Sequence, residues 1–141
     1  MAGAALAWHL FKGLVEDQFT RPLVVVLPCC ENLVSDSAMR PGSIVESHRG
    51  LKVRIDHTDA EGRLILADAL SWASDRYLPT DVFCFATLTT AALNSYGPFA
   101  TPVHFAPPHL QQCLRDASEE TGEDLHLLPY CLLYTSDAAD E

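Results

Sequence analysis

The chain has 141 residues, of which 48% are hydrophobic, and a formal net charge of −10 at neutral pH. That length bounds it at one domain, whole or partial, with enough apolar material for a core. The acidic balance argues against attachment to nucleic acid or to an anionic membrane, each of which needs a basic face, and no apolar run approaches the length of a membrane span.

From Ala4 to about Phe19, Leu6, Leu10, Phe11, Leu14 and Val15 recur at helical spacing, which predicts an amphipathic helix. The stretch has no basic leader and carries Lys12, Glu16 and Asp17, so it does not read as a signal peptide. Leu23 to Leu27 is a continuous run rich in valine, stopped by Pro28, as expected of a strand buried on both faces. The adjacent Cys29 and Cys30 read as small buried hydrophobes rather than a redox pair. Ser43 to Glu46 and Lys52 to Asp56, joined through His48-Arg49-Gly50, predict an edge hairpin.

Arg63 to about Tyr77 predicts a helix ending before Pro79, with Leu64, Leu66, Leu70 and Ala73 among its packing positions. Asp81 to Thr87 follows as a second buried strand, Pro102 to Phe105 as a short one, and Pro108 to about Glu120 as a helix closed by Gly122. Trp8 and Trp72 are expected in the core or a subunit contact. The class is therefore α/β with a largely buried sheet, and the absence of repeats or low-complexity linkers predicts one compact unit. Five cysteines, at 29, 30, 84, 113 and 131, form no C-x-x-C pair, which predicts buried or free thiols in a reducing compartment. The acidic residues between Asp116 and Asp124 read as a solvated face, and His104, His109 and His126 show no ligand spacing.

Between the hairpin and the second helix lies His57-Thr58-Asp59-Ala60-Glu61-Gly62-Arg63-Leu64, the one segment whose residues suggest chemistry. Two carboxylates separated by a single alanine can enter one small volume if the backbone is extended, and gathered oxygen ligands suit divalent metals. Arg63 adds a permanent positive charge. The competing reading is a capping box, with Thr58 capping the first helical turn and Glu61 reaching back to the Thr58 amide. From spacing alone the capping box is the stronger reading.

Seven of these eight letters coincide with N-T-D-A-E-G-R-L, the signature of the leucine aminopeptidases, or cytosol aminopeptidases, and the chain resembles that family well beyond the turn. Glu31-Asn32 with Arg40-Pro41-Gly42 is similar to the family's E-N…R-P-G stretch, Ala86-Thr87-Leu88-Thr89 to its A-T-L-T-G-A segment, and Gly122 with Leu128-Pro129 to its G-x…L-P. The resemblance implies a mixed β-sheet sandwiched by helices, as in zinc exopeptidase catalytic domains, incomplete at both ends, over residues 1–130. Met1-Ala2-Gly3-Ala4-Ala5 is similar to the family's K-x-D-M-x-G-A-A entered at its methionine, so Met1 is not expected to be a true start. Residues 131–141 depart from the family, resemble translated adapter sequence, and are expected to be a non-native tail.

By resemblance, Asp59 is a ligand of one metal, Glu61 bridges two, Arg63 is catalytic, and Thr87 and Leu88 bind substrate. The implied cofactors are two divalent ions, zinc or manganese, with bicarbonate held by Arg63. The implied activity is release of N-terminal amino acids, leucine-type, from peptides by a cytoplasmic homo-hexamer. Lysine and aspartate ligands that the family carries before the methionine are not in this chain, so the 141 residues alone are expected to be inactive. His57 stands where the family has asparagine and is kept out of the ligand set. Thr90 stands where it has glycine, which predicts a narrowed substrate pocket or a different backbone angle. These departures leave open a non-catalytic homologue acting as a structural or binding subunit.

Overall fold

The computed structural model describes residues 1–31 and 33–128; the expected tail at 131–141 lies outside them. The contacts divide at Leu88 and Thr89 into two compact units, where the sequence, lacking any linker signal, had predicted one.

The first unit opens with helix α1, Ala2–Glu16. A Cβ at Gly3 would lie 2.7 Å from the Phe85 carbonyl carbon and 2.9 Å from Ala86 Cα, so only glycine lets the helix approach that segment. Strands β1, Ile44–Glu46, and β2, Lys52–Arg54, form an antiparallel hairpin with Val45 opposite Val53. Backbone bonds from Ile55 N–H to Ser43 O (2.8 Å) and from Gly42 N–H to Ile55 O (2.6 Å) continue the ladder. Ile55, 3% exposed, is the one buried hydrophobic residue among those described. A single turn of 3₁₀ helix, Thr58–Ala60, leads into helix α2, Glu61–Tyr77.

The hairpin turn is fastened to the middle of α2. His48 donates its backbone N–H to Asp68 Oδ1 (2.9 Å), its Nδ1 lies 2.9 Å from Ser71 Oγ, and Arg49 reaches Asp75 Oδ1 at 2.6 Å. Positions 68, 71 and 75 share one helix face at three- and four-residue spacing. The helix ends at Leu78 with φ 47° and ψ 54°, its N–H bonded to Ser74 O. This left-handed cap position, usually filled by glycine, costs a branched residue about 1 kcal/mol or more.

In the second unit, helix α3, Ala91–Tyr96, precedes strand β3, Ala100–Val103. Helix α4, Pro108–Thr121, then carries the chain back to strand β4, Asp124–Leu127. The two strands pair in parallel, Thr101 opposite Leu125, so β3–α4–β4 is a crossover unit of the kind parallel pairing requires. Pro108 opens α4 where its missing N–H costs nothing, and Gly122 at φ 71° closes it. His126 stacks on Tyr96 with centroids 5.1 Å apart.

The class is α/β, as expected, and the three longest helices and the hairpin lie close to their predicted positions. Neither Leu23 to Leu27 nor Asp81 to Thr87 is a paired strand. A strand buried on both faces needs a neighbour along its edge and layers above and below, and no described strand pairs with either segment. Val24 and Phe83 are accordingly exposed. Trp8 and Trp72 are also exposed, each on its own helix, and Cys29, Cys30, Cys84 and Cys113 are exposed free thiols rather than buried ones. Among the described residues no helix is long and apolar enough to cross a membrane.

Candidate functional site

The candidate turn is built by a change of backbone geometry. His57 enters extended (φ −128°, ψ 111°), the 3₁₀ turn follows with Ala60 N–H bonded to His57 O at 3.2 Å, and Glu61 is the first residue of α2. The residue preceding α2 is thus Ala60, which has no capping side chain, and neither helix start carries a side-chain cap hydrogen bond. Thr58 sits inside the 3₁₀ turn, and Glu61 opens α2 instead of occupying its third position. The capping box favoured by spacing is not formed. Between Asp59 and Glu61 the backbone is not extended: a tight turn at the helix start carries both acidic residues.

Residues 59–63 line a single cavity of about 70 Å³ together with Thr87 and Leu88. All five residues singled out in the sequence, Asp59, Glu61, Arg63, Thr87 and Leu88, are therefore on its wall. His57 is not among the lining residues. The volume admits an ion with an oxygen ligand or two and falls well below the roughly 300–1,000 Å³ of a pocket that encloses a small organic ligand. Gly62 keeps the wall close: a Cβ there would come 3.1 Å from Leu88 Cδ2, so any larger residue would press on that side chain.

Among the described residues, Asp59, Glu61 and Arg63 are exposed, and their side chains make no hydrogen bond or ion pair. The carboxylates lie at the positive end of α2, which favours negative charge. Their oxygens are hard donors, and the pair offers up to four of them, so they match a divalent cation in kind. They do not match it in number, because no group of three His, Cys, Asp or Glu side chains gathers among the described residues. Asp59 and Glu61 are thus a partial donor set.

Thr90, where the resembled family has glycine, has φ −76° and ψ −6°, a conformation open to any residue, so no glycine-only backbone angle is required there. Upstream of Thr87, desolvation pushes the Cys84 thiol above its ordinary value, although the residue as a whole remains exposed. Sequence reasoning missed the fastening of His48 and Arg49 to α2. The spacing of Asp68, Ser71 and Asp75 along one face of a predicted helix was the available signal, but their partners lie twenty or more positions away.

The family model of the cytosol aminopeptidase family, catalytic domain, matches residues 1–141. A probable cytosol aminopeptidase of Syntrophobacter fumaroxidans is 38% identical over 144 residues, covering 99% of this chain and 28% of that protein. A probable cytosol aminopeptidase of Chlamydia felis is also 38% identical over 144 residues, covering 99% of this chain and 29% of that protein. Among solved structures, a mutant of tomato leucine aminopeptidase superposes with a TM-score of 0.82 at 36% identity, over 95% of this chain and 27% of that one. The chain thus spans under a third of the length of these relatives.

Proposed function

The chain belongs to the cytosol aminopeptidase family, and from that membership we propose that it is part of a metal-dependent aminopeptidase releasing N-terminal residues, leucine-type, from peptides. The observation that carries the proposal is the convergence of Asp59, Glu61, Arg63, Thr87 and Leu88 on one ion-sized cavity. In this reading Asp59 and Glu61 would hold two divalent ions, zinc or manganese, Asp59 as a ligand of one and Glu61 shared between them, with the remaining ligands supplied from outside the described residues. Such a pair of ions, when bound, polarises the scissile carbonyl and generates a nucleophile from water at neutral pH.

The chain's own side chains have distinct tasks. Arg63 remains cationic at any working pH and offsets the negative charge that develops on the carbonyl oxygen. Its planar fork also suits a bicarbonate bound through two parallel hydrogen bonds, which would accept and pass on a proton. Thr87 and Leu88 border the cavity where the peptide enters, and Leu88, packed against Gly62, sets how close the substrate comes to the carboxylates. We place the complete protein in the cytoplasm as a homo-hexamer acting on peptide substrates. The 141 residues alone hold a divalent ion weakly and are inactive, since affinity rises with ligand number and charge.

A second reading is favoured by one observation: His57 and Thr90 stand where the resembled family has asparagine and glycine. It makes the complete protein a non-catalytic member of the family, a structural or binding subunit. A leucyl-anilide assay on the full-length protein with added manganese separates the two. Turnover that Asp59→Ala and Glu61→Ala abolish supports the peptidase; no turnover with zinc or manganese supports the subunit.

A further inference from the structure

We propose that Cys29 and Cys30 form a dithiol site for trivalent arsenicals, seated at the edge of a groove on the flank of α2. The two residues are adjacent, and both are free and exposed. They lie in a stretch that is neither helix nor paired strand, so no ladder or helical hydrogen bonding fixes the backbone between them.

Geometry decides which chemistry suits them. Adjacent Cα atoms across a trans peptide are about 3.8 Å apart, whereas unstrained disulfides hold their Cα atoms roughly 4.4–6.8 Å apart. Direct closure into a disulfide is therefore strained, and both thiols are free. An interposed atom that bonds both sulfurs relieves that strain, and soft thiolates select soft, thiophilic centres. Trivalent arsenic needs only two protein ligands when it carries an organic group, so the want of a third nearby ligand does not disable the site.

Cys30 also lines a groove of about 570 Å³, whose wall includes Pro28, His48, Ile65, Ala69 and Trp72. Ile65, Ala69 and the exposed face of Trp72 give an aryl group on the arsenic an apolar and aromatic seat. In the binding step, an arylarsine oxide reacts with both thiols: two S–H bonds break, two As–S bonds form, and the oxide oxygen leaves as water. Arsenic stays trivalent, so no oxidant or reductant is consumed.

The test uses the 141-residue chain with Cys84, Cys113 and Cys131 replaced by serine, and phenylarsine oxide as the probe. Intact-mass measurement is expected to show one phenylarsenic per chain, retained in excess monothiol and released by a dithiol. Cys29→Ser and Cys30→Ser should each lose on the order of a hundredfold in affinity, because the second sulfur binds at the effective concentration of a tethered group. On the chain with all its cysteines, blocking the thiols with iodoacetamide beforehand should abolish retention. Trp72→Ala should weaken phenylarsine oxide severalfold and leave methylarsine oxide unchanged. Release by monothiol alone, or equal retention by either single-serine variant, overturns the dithiol site; equal effects of Trp72→Ala on both arsenicals overturn the groove as its aryl seat.

Discussion

The body of α2 and the turn that opens it use their carboxylates in opposite ways. Along the body of α2, Asp68 and Asp75 are committed to the hairpin turn, one accepting the His48 amide and the other the Arg49 guanidinium. At its start, Asp59 and Glu61 have no protein partner among the described residues, although Arg63 is two positions from Glu61. Both regions are acidic and polar. What separates them is that the first set holds the fold together and the second lines a cavity sized for an ion. The difference teaches that acidic residues a few helical turns apart can have unrelated tasks, which composition alone does not reveal.

The contrast is sharpest where activity and stability are measured on the same variants. In the full-length protein, Asp59→Ala and Glu61→Ala are expected to lower kcat/KM for a leucyl-anilide on the order of a hundredfold or more. Chemical denaturation of the metal-free protein should show both variants within about 1 kcal/mol of the parent, since neither side chain has a hydrogen bond or ion pair to lose and only the charge at the helix start is removed. A large loss of stability in either would break the distinction. Arg63→Lys should cost roughly tenfold in the same assay, because lysine keeps the charge and loses the planar fork; unchanged turnover would show that charge alone suffices.

The other region should behave in reverse. Asp68→Ala should destabilise the protein by about 1 kcal/mol through loss of the bond from His48, with kcat/KM changed less than about threefold. Urea unfolding reads the first and the anilide assay the second. At the far end of α2, Leu78→Gly should raise stability by about 1 kcal/mol, because glycine adopts the left-handed cap without strain. No gain there would mean that the Leu78 side chain stabilises the fold by as much as its backbone strains it.

Much of the local structure was legible in the sequence because its signals are local. Leucine spacing marked α1 and α2, Pro108 and Gly122 marked the two ends of α4, and the turn at Gly50 with alternating residues marked the hairpin. Helix α3 and strand β4 were missed: α3 is only six residues long, and β4 is a short segment whose pairing partner lies across α4. The runs at 23–27 and 81–87 carry the composition of buried strands, but that composition describes a setting with neighbours on every side, which the described residues do not supply. Cys29 and Cys30 were misplaced for the same reason, and Trp8 and Trp72 lie outside any core, since apolar character predicts burial only where there is something to be buried against.

The site shows a finer limit. Thr58 and Glu61 have capping-box spacing, yet a 3₁₀ turn places the start of α2 at Ala60 and Glu61, and a pattern match has no means of sensing that shift. Asp59, Glu61 and Arg63 stood out from their residue types. Thr87 and Leu88 did not, being ordinary strand residues; only the likeness of 86–89 to a family segment pointed to them before the cavity brought them alongside the carboxylates.

The most direct test of the central claim is a calorimetric titration of manganese into the metal-free full-length protein, beside Asp59→Asn and Glu61→Gln variants that keep side-chain size and remove charge. Convergence of the two carboxylates on divalent ions predicts that each variant loses at least one manganese site or weakens it on the order of a hundredfold. Manganese binding of unchanged stoichiometry and affinity in both variants would contradict it.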